Sequence, residues 1–92
     1  MPTKQQREPP KDLAQHKRET LLILIGEQLI HTLGTPGDLL KVQVKLLWED
    51  RYRVNVFVGV DAASPKLAHS YFLEADGDGN ILAATPKITK QY

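Results

Sequence analysis

The 92-residue chain has no cysteine. Disulfides, thiolate nucleophiles and zinc sites with sulfur ligands are therefore excluded, and a reducing, cytoplasmic setting is the expected one. Aromatic residues are scarce, with one Trp, three Tyr and two Phe. Neither sign of charge dominates: twelve Lys and Arg face eleven Asp and Glu, a net charge of +1. No global field draws the chain to nucleic acid or to an acidic membrane, so any such binding must rest on a local patch. Long apolar runs are missing too. The longest, Leu21 to Ile25, falls far short of the roughly 20 residues that span a bilayer. No Gly-rich phosphate loop, HExxH element or dinucleotide fingerprint occurs.

What is present is an ordinary globular composition, 41% apolar and 25% charged. The length supports one hydrophobic core and leaves little room for an enclosed small-molecule cavity. Residues 1–10 hold three prolines among polar side chains and are expected to form a flexible polar tail, neither signal peptide nor membrane anchor. Residues 11–87 are expected to form a single domain, and 88–92 a loose C-terminus.

A helix start is signalled by Asp12 as a cap, with Gln15 three residues on. The stop is signalled by Gly34 after Leu33, and then by Pro36. Pro36-Gly37 suits the centre of a type II turn, where the second position needs positive φ. Between these signals Leu22, Ile25, Leu29 and Leu33 share one stripe, the expected sheet-facing side. Gly26 beside that stripe suggests close approach to a strand or to Trp48. Ile23 and Leu24 point off the stripe, a first hint of apolar surface left for a partner.

From Lys41 to Val60 two period-2 runs follow. Val42, Val44, Leu46 and Trp48 share one face of the first, and Tyr52, Val54, Val56, Val58 and Val60 one face of the second. A two-residue loop at Asp50-Arg51 would set the apolar series of one strand beside the polar series of the other. A three-residue loop, Glu49-Asp50-Arg51, pairs Trp48 with Tyr52, Leu46 with Val54, Val44 with Val56 and Val42 with Val58, all inward. A third strand over about 66–75 has broken alternation, which implies apolar residues on both faces or a bulge. The turn at Asp76-Gly77-Asp78-Gly79-Asn80 and a strand from Ile81 to Thr85 close a second hairpin. The expected fold is α+β: one N-terminal helix packed across one face of a four-stranded antiparallel meander. Cystatin-like and related small α+β modules share that architecture. No residue motif of theirs is present to bring a function with it.

Asp76, Asp78 and Asn80 have the spacing of the first calcium ligands of an EF-hand loop. The sixth position is Ile81 where Gly is required, and the twelfth is Lys87 where Glu is required. A plain hairpin turn is the better account. His16, His31 and His69 do not converge in this arrangement, and Ser64 and Ser70 have no expected base partner. No catalytic residue, metal site or cofactor is assigned, and the chain is taken to be non-enzymatic.

The reverse side of the central hairpin is the one place where composition and geometry combine. Lys45 and Arg53, with Lys41 beside them, would surround Leu47 and Phe57, and Phe72 or Tyr71 would add a ring from the next strand. An apolar centre with a charged rim fits a protein partner or self-association. Aromatic rings framed by cations also suit stacking of unpaired bases, so single-stranded nucleic acid is the alternative partner. A third possibility is that the tail or the C-terminal residues fold over this face.

Overall fold

A computed structural model describes residues 11–92, with side chains from Lys17 onward. Helix α1 (Lys11–Leu33) is followed by strands β1 (Leu39–Trp48), β2 (Arg51–Val58), β3 (Lys66–Ala75) and β4 (Ile81–Thr85). The strands form one antiparallel sheet in the order β1-β2-β3-β4, with the helix on one face. This is the expected α+β meander. The residues expected to form a tail, 1–10, lie outside the described part.

The helix buries the stripe its sequence implies. Ile25, Leu29 and Leu33 are fully buried against Val54, Val56, Leu73 and Ala75, with Tyr52 and Tyr71 nearly so. Each such aliphatic side chain contributes about 1.5–3 kcal/mol by leaving water. Leu22 packs at the margin of this cluster. At Gly26 the helix comes close to the sheet. A Cβ there would lie 3.3 Å from Val44 Cγ2 and 3.5 Å from Val42 Cγ1, so the neighbour is β1 and not Trp48. On the opposite flank Leu24 sits under the β3–β4 turn, and a Cβ on Gly79 would be 2.8 Å from its own Cβ. Leu24 therefore has a partner within the chain, whereas Ile23 is 60% exposed. Asp12, expected as the cap, lies inside the helix.

The turn after the helix differs from expectation. The Leu39 amide donates to Pro36 O at 3.2 Å, which makes Pro36 the first residue of the turn and places Gly37-Asp38 at its centre. Gly37 is not in the positive-φ region; Gly34 is, at φ 94°. Helix termination thus uses a left-handed glycine, and the turn at Gly37 needs none.

The hairpin register is corrected by two residues. Val44 pairs with Val54, Val42 with Val56, Leu46 with Tyr52, and Trp48 with Arg51. The loop is the two residues Glu49-Asp50, with Glu49 in the left-handed region at φ 45°. A bulge between Leu46 and Trp48 absorbs one residue. Parity survives for Val42, Val44 and Leu46, because the bulge compensates for the shorter loop. Trp48, beyond the bulge, changes faces. Asp50 helps to hold this end: its carbonyl accepts from the Ala75 amide at 3.0 Å.

β3 carries a bulge opposite Val56/Phe57. That settles its broken alternation: Tyr71 and Leu73 turn inward, opposite Val54 and Tyr52, while Phe72 lies opposite Arg53 on the outer face. Burial raises the pKa of both inward tyrosines, with the Asp50 charge adding at Tyr52 and Tyr92 adding at Tyr71. The last residues, expected to be loose, are docked. Ile88 packs on the core, and the amides of Gln91 and Tyr92 donate to Leu33 O at 2.7 and 3.2 Å. The Tyr92 hydroxyl lies 2.9 Å from His69 Nε2. They fold on the helix side of the sheet and leave the outer face alone.

Gly34 is where this docking and the helix stop meet. A Cβ there would lie 2.5 Å from Tyr92 O, on top of the penalty for its positive φ. Gly34→Ala is expected to cost about 2 kcal/mol or more in urea unfolding. Gly37→Ala, with open space around it, should stay within about 0.5 kcal/mol of wild type.

Candidate functional interface

The outer face is built from the residues of β1, β2 and β3 that point away from the helix. Across its middle runs a polar ladder. Asn55 Nδ2 donates to Gln43 Oε1 at 3.2 Å, Ser70 Oγ donates to Asn55 Oδ1 at 2.6 Å, and Arg53 Nη1 reaches Ser70 Oγ at 3.4 Å. Gln43, Asn55 and Ser70 are cross-strand neighbours in register, so pairing geometry alone brings their short side chains together, and Arg53 reaches Ser70 along the diagonal.

The five residues singled out from the sequence do not form one cluster. Phe57 stands at one end of the face, opposite Lys41 on β1 and Leu67 on β3, with Lys41 Nζ 5.3 Å from its ring centre. Lys45, Arg53 and Phe72 are neighbours at the other end, since Lys45 is opposite Arg53 and Arg53 opposite Phe72. Four residues of β2 separate the two ends, about 13 Å. Leu47 falls at the β1 bulge, 39% exposed. The expected apolar centre with a charged rim is thus replaced by a polar centre between two aromatic ends.

Trp48 is the residue that sequence reasoning placed wrongly. It was expected inside, opposite Tyr52. It is instead 56% exposed, with its ring centre 5.8 Å from that of Phe72 at a tilt of 44°. Such an aromatic pair is worth about 0.5–1.5 kcal/mol beyond its burial. A signal was available, because a three-residue loop favours Gly at its last position and finds Arg51. Arg51 instead begins β2, bonded to Asp50 and 3.4 Å from Glu74.

Beside Trp48 and Phe72, Lys45 and Arg53 lie directly opposite one another and both are exposed. Like charges across a pair destabilise a sheet modestly. An anionic group on a partner would relieve that repulsion while the rings supply apolar area. Tyr71, the other ring whose face was open, is inside the core and takes no part.

The Asp76–Asn80 turn uses its acidic groups internally. Asp76 Oδ1 accepts from the amides of Asp78 and Asn80, both at 2.9 Å, and Oδ2 accepts from Asn80 Nδ2 at 3.1 Å. Hydrogen bonds from the Asn80 amide and then its side chain lead in holding the Asp76 carboxyl below the usual carboxylate range. Among the described residues, no three His, Asp or Glu side chains converge as a metal site would require. His31 is exposed on the helix and His69 pairs with Tyr92; the His16 side chain lies outside the described part. No helix among the described residues is long and apolar enough to cross a membrane.

Compared with protein-family models, curated proteins and solved structures, the chain matches none.

The depressed Asp76 carboxyl stabilises the fold above its unfolded-state pKa, and that contribution disappears as pH falls through the folded value. Asp76→Ala should therefore lower Tm at neutral pH, with the gap to wild type closing in acid. Thermal melts followed by circular dichroism across that range would read it; a gap independent of pH would contradict the assignment.

Proposed function

We propose that the chain is a non-catalytic binding module that docks a partner protein on the outer sheet face, with Trp48 as the anchor. The observation that carries this is a tryptophan held more than half exposed, resting on Phe72 beside the opposed cations Lys45 and Arg53. Trp and Arg dominate the energetics of protein interfaces. A bulge, a left-handed Glu49 and an ion-paired Arg51 all serve to present that ring outward. The polar ladder keeps the middle of the face wettable, which suits a module that also exists unbound.

A second reading, single-stranded nucleic acid, is favoured by the same end of the face. Two rings with Lys45 and Arg53 on neighbouring strand positions offer stacking surface together with positive charge. Near-zero net charge and the acidic Asp50 and Glu74 nearby weigh against it.

Light scattering behind size exclusion, with affinity capture under cross-linking, compares wild type with Trp48→Ala and Phe57→Asp. Trp48→Ala should weaken association by about 2–4 kcal/mol while leaving the fold near wild type. Phe57→Asp at the far end should matter less. A wild-type monomer with no Trp48-dependent partner would count decisively against the proposal. Titration of a labelled oligonucleotide at several salt concentrations tests the second reading, through a steep salt dependence that Lys45→Glu and Arg53→Glu should reduce.

A further inference from the structure

A second surface lies on the other side of the same sheet, at the free edge of β1. The strand order leaves β1 paired only with β2, and among the described residues no other element pairs with its far side. Between its two bulges, Lys41 to Leu46 runs in regular register. Such an edge presents a row of unpaired N–H and C=O groups. Beside it, between the inner face of β1 and the flank of α1, runs an open groove of about 770 Å³. Leu22, Ile23, Ile30, Val42 and Val44 form its apolar walls. Glu19 and Glu27 stand on the helix above it. The close approach at Gly26 sets how near the helix lies to the strand.

We propose that an extended segment of a partner protein adds to β1 as a fifth strand, its side chains alternating between apolar and acidic. Strand addition satisfies the edge hydrogen bonds that a docked helix could not reach. It sends every second side chain into the groove, against Ile23 and Val44, where an acidic group would meet Glu19 and Glu27. The intervening side chains emerge on the outer face beside Lys41 and Lys45, both exposed, at the strand spacing of about 4.8 Å. Acidic groups there gain opposite-charge neighbours across the pair.

The same two lysines argue against a second copy as occupant. An antiparallel β1–β1 pairing about Gln43 sets Lys41 opposite Lys45 on both sides of the axis. Pairing about Val44 makes the two Lys45, and each Lys41 and the opposing Lys45, diagonal neighbours at about 7–8 Å. Lysines on an edge strand are a common device against self-pairing, and an acidic, alternating segment is the occupant they admit. The surface shares Lys45 with the Trp48 end of the outer face but uses neither of the rings there.

Fluorescein-labelled, end-capped octapeptides alternating Val with Glu, or Val with Lys, are titrated onto the full chain by anisotropy. Amide hydrogen exchange is followed in parallel. The Val/Glu peptide should bind saturably, at least about tenfold tighter than the Val/Lys peptide, and protect amides of β1. Lys41→Glu with Lys45→Glu should invert that preference. Ile23→Asp, at an exposed site, should weaken binding about tenfold with Tm unchanged. N-methylation of alternate peptide residues should abolish binding, and Trp48→Ala should leave it unaltered. Absence of saturation up to about 1 mM, equal affinity for the two peptides, or binding without protection of β1 would overturn the proposal. A wild-type dimer protecting the same amides would overturn it in favour of a second copy.

Discussion

The seating of three helix residues, Ile25, Leu29 and Leu33, against β2 and β3 is the contact on which the rest depends. It removes the largest fully buried side chains among the described residues from water in one place, and it decides which face of the sheet is inside. On β1 the helix approaches the inner face at Gly26, and its neighbours there, Val42 and Val44, are half-buried. Leu46, in register with Tyr52, remains 39% exposed although its partner is buried. The groove beside β1 is therefore a consequence of where one helix rests on four strands.

The features legible in the sequence were those set by local chemistry. The helix stop needed a left-handed residue and only Gly34 offered it; the stripe needed a 3.6 period and found it; the inside of β2 needed period 2 and showed it without a break. The register was harder. Parity argued correctly that even-numbered residues of β1 and β2 must face inward together, yet parity cannot distinguish a three-residue loop from a two-residue loop plus a bulge. Both keep Val42 and Val44 inside. They differ at Trp48, and that single difference moves the only tryptophan from core to surface. Docking of the C-terminus was not legible either. The amides of Gln91 and Tyr92 find Leu33 O because helix ends leave carbonyls unsatisfied, and nothing in Lys87 to Tyr92 itself announces that.

The outer face is a candidate in the sequence because Lys45, Arg53 and Lys41 are expected to surround Leu47 and Phe57. Placing them in register changed its character. Gln43, Asn55 and Ser70 align across three strands and bond to one another, so the middle of the face is self-satisfied. The aromatic residues are pushed to the ends, Phe57 beneath Lys41 and Phe72 beneath Trp48. Satisfied polar groups gain little from a partner, whereas exposed ring area and the opposed Lys45 and Arg53 do gain. Function on this face is therefore expected at the hairpin end.

Lys41 and Lys45 connect the two surfaces. Each belongs to the outer face by the direction of its side chain and to the β1 edge by its position on the strand. Lys41 already has a ring beneath it, while Lys45 faces Arg53. Negative charge arriving from either side is thus favoured by the same residues, and charge of the same sign, including that of an identical strand, is disfavoured. A chain with a net charge of only +1 can still present a basic strip to a partner, because Lys41, Lys45 and Arg53 lie on one strand and its neighbour while three acids near the sheet are engaged elsewhere. Asp50 binds Arg51, Glu74 lies within reach of the same guanidinium, and Asp76 is held by its own turn. The local arrangement, not the total, sets the sign that a partner meets.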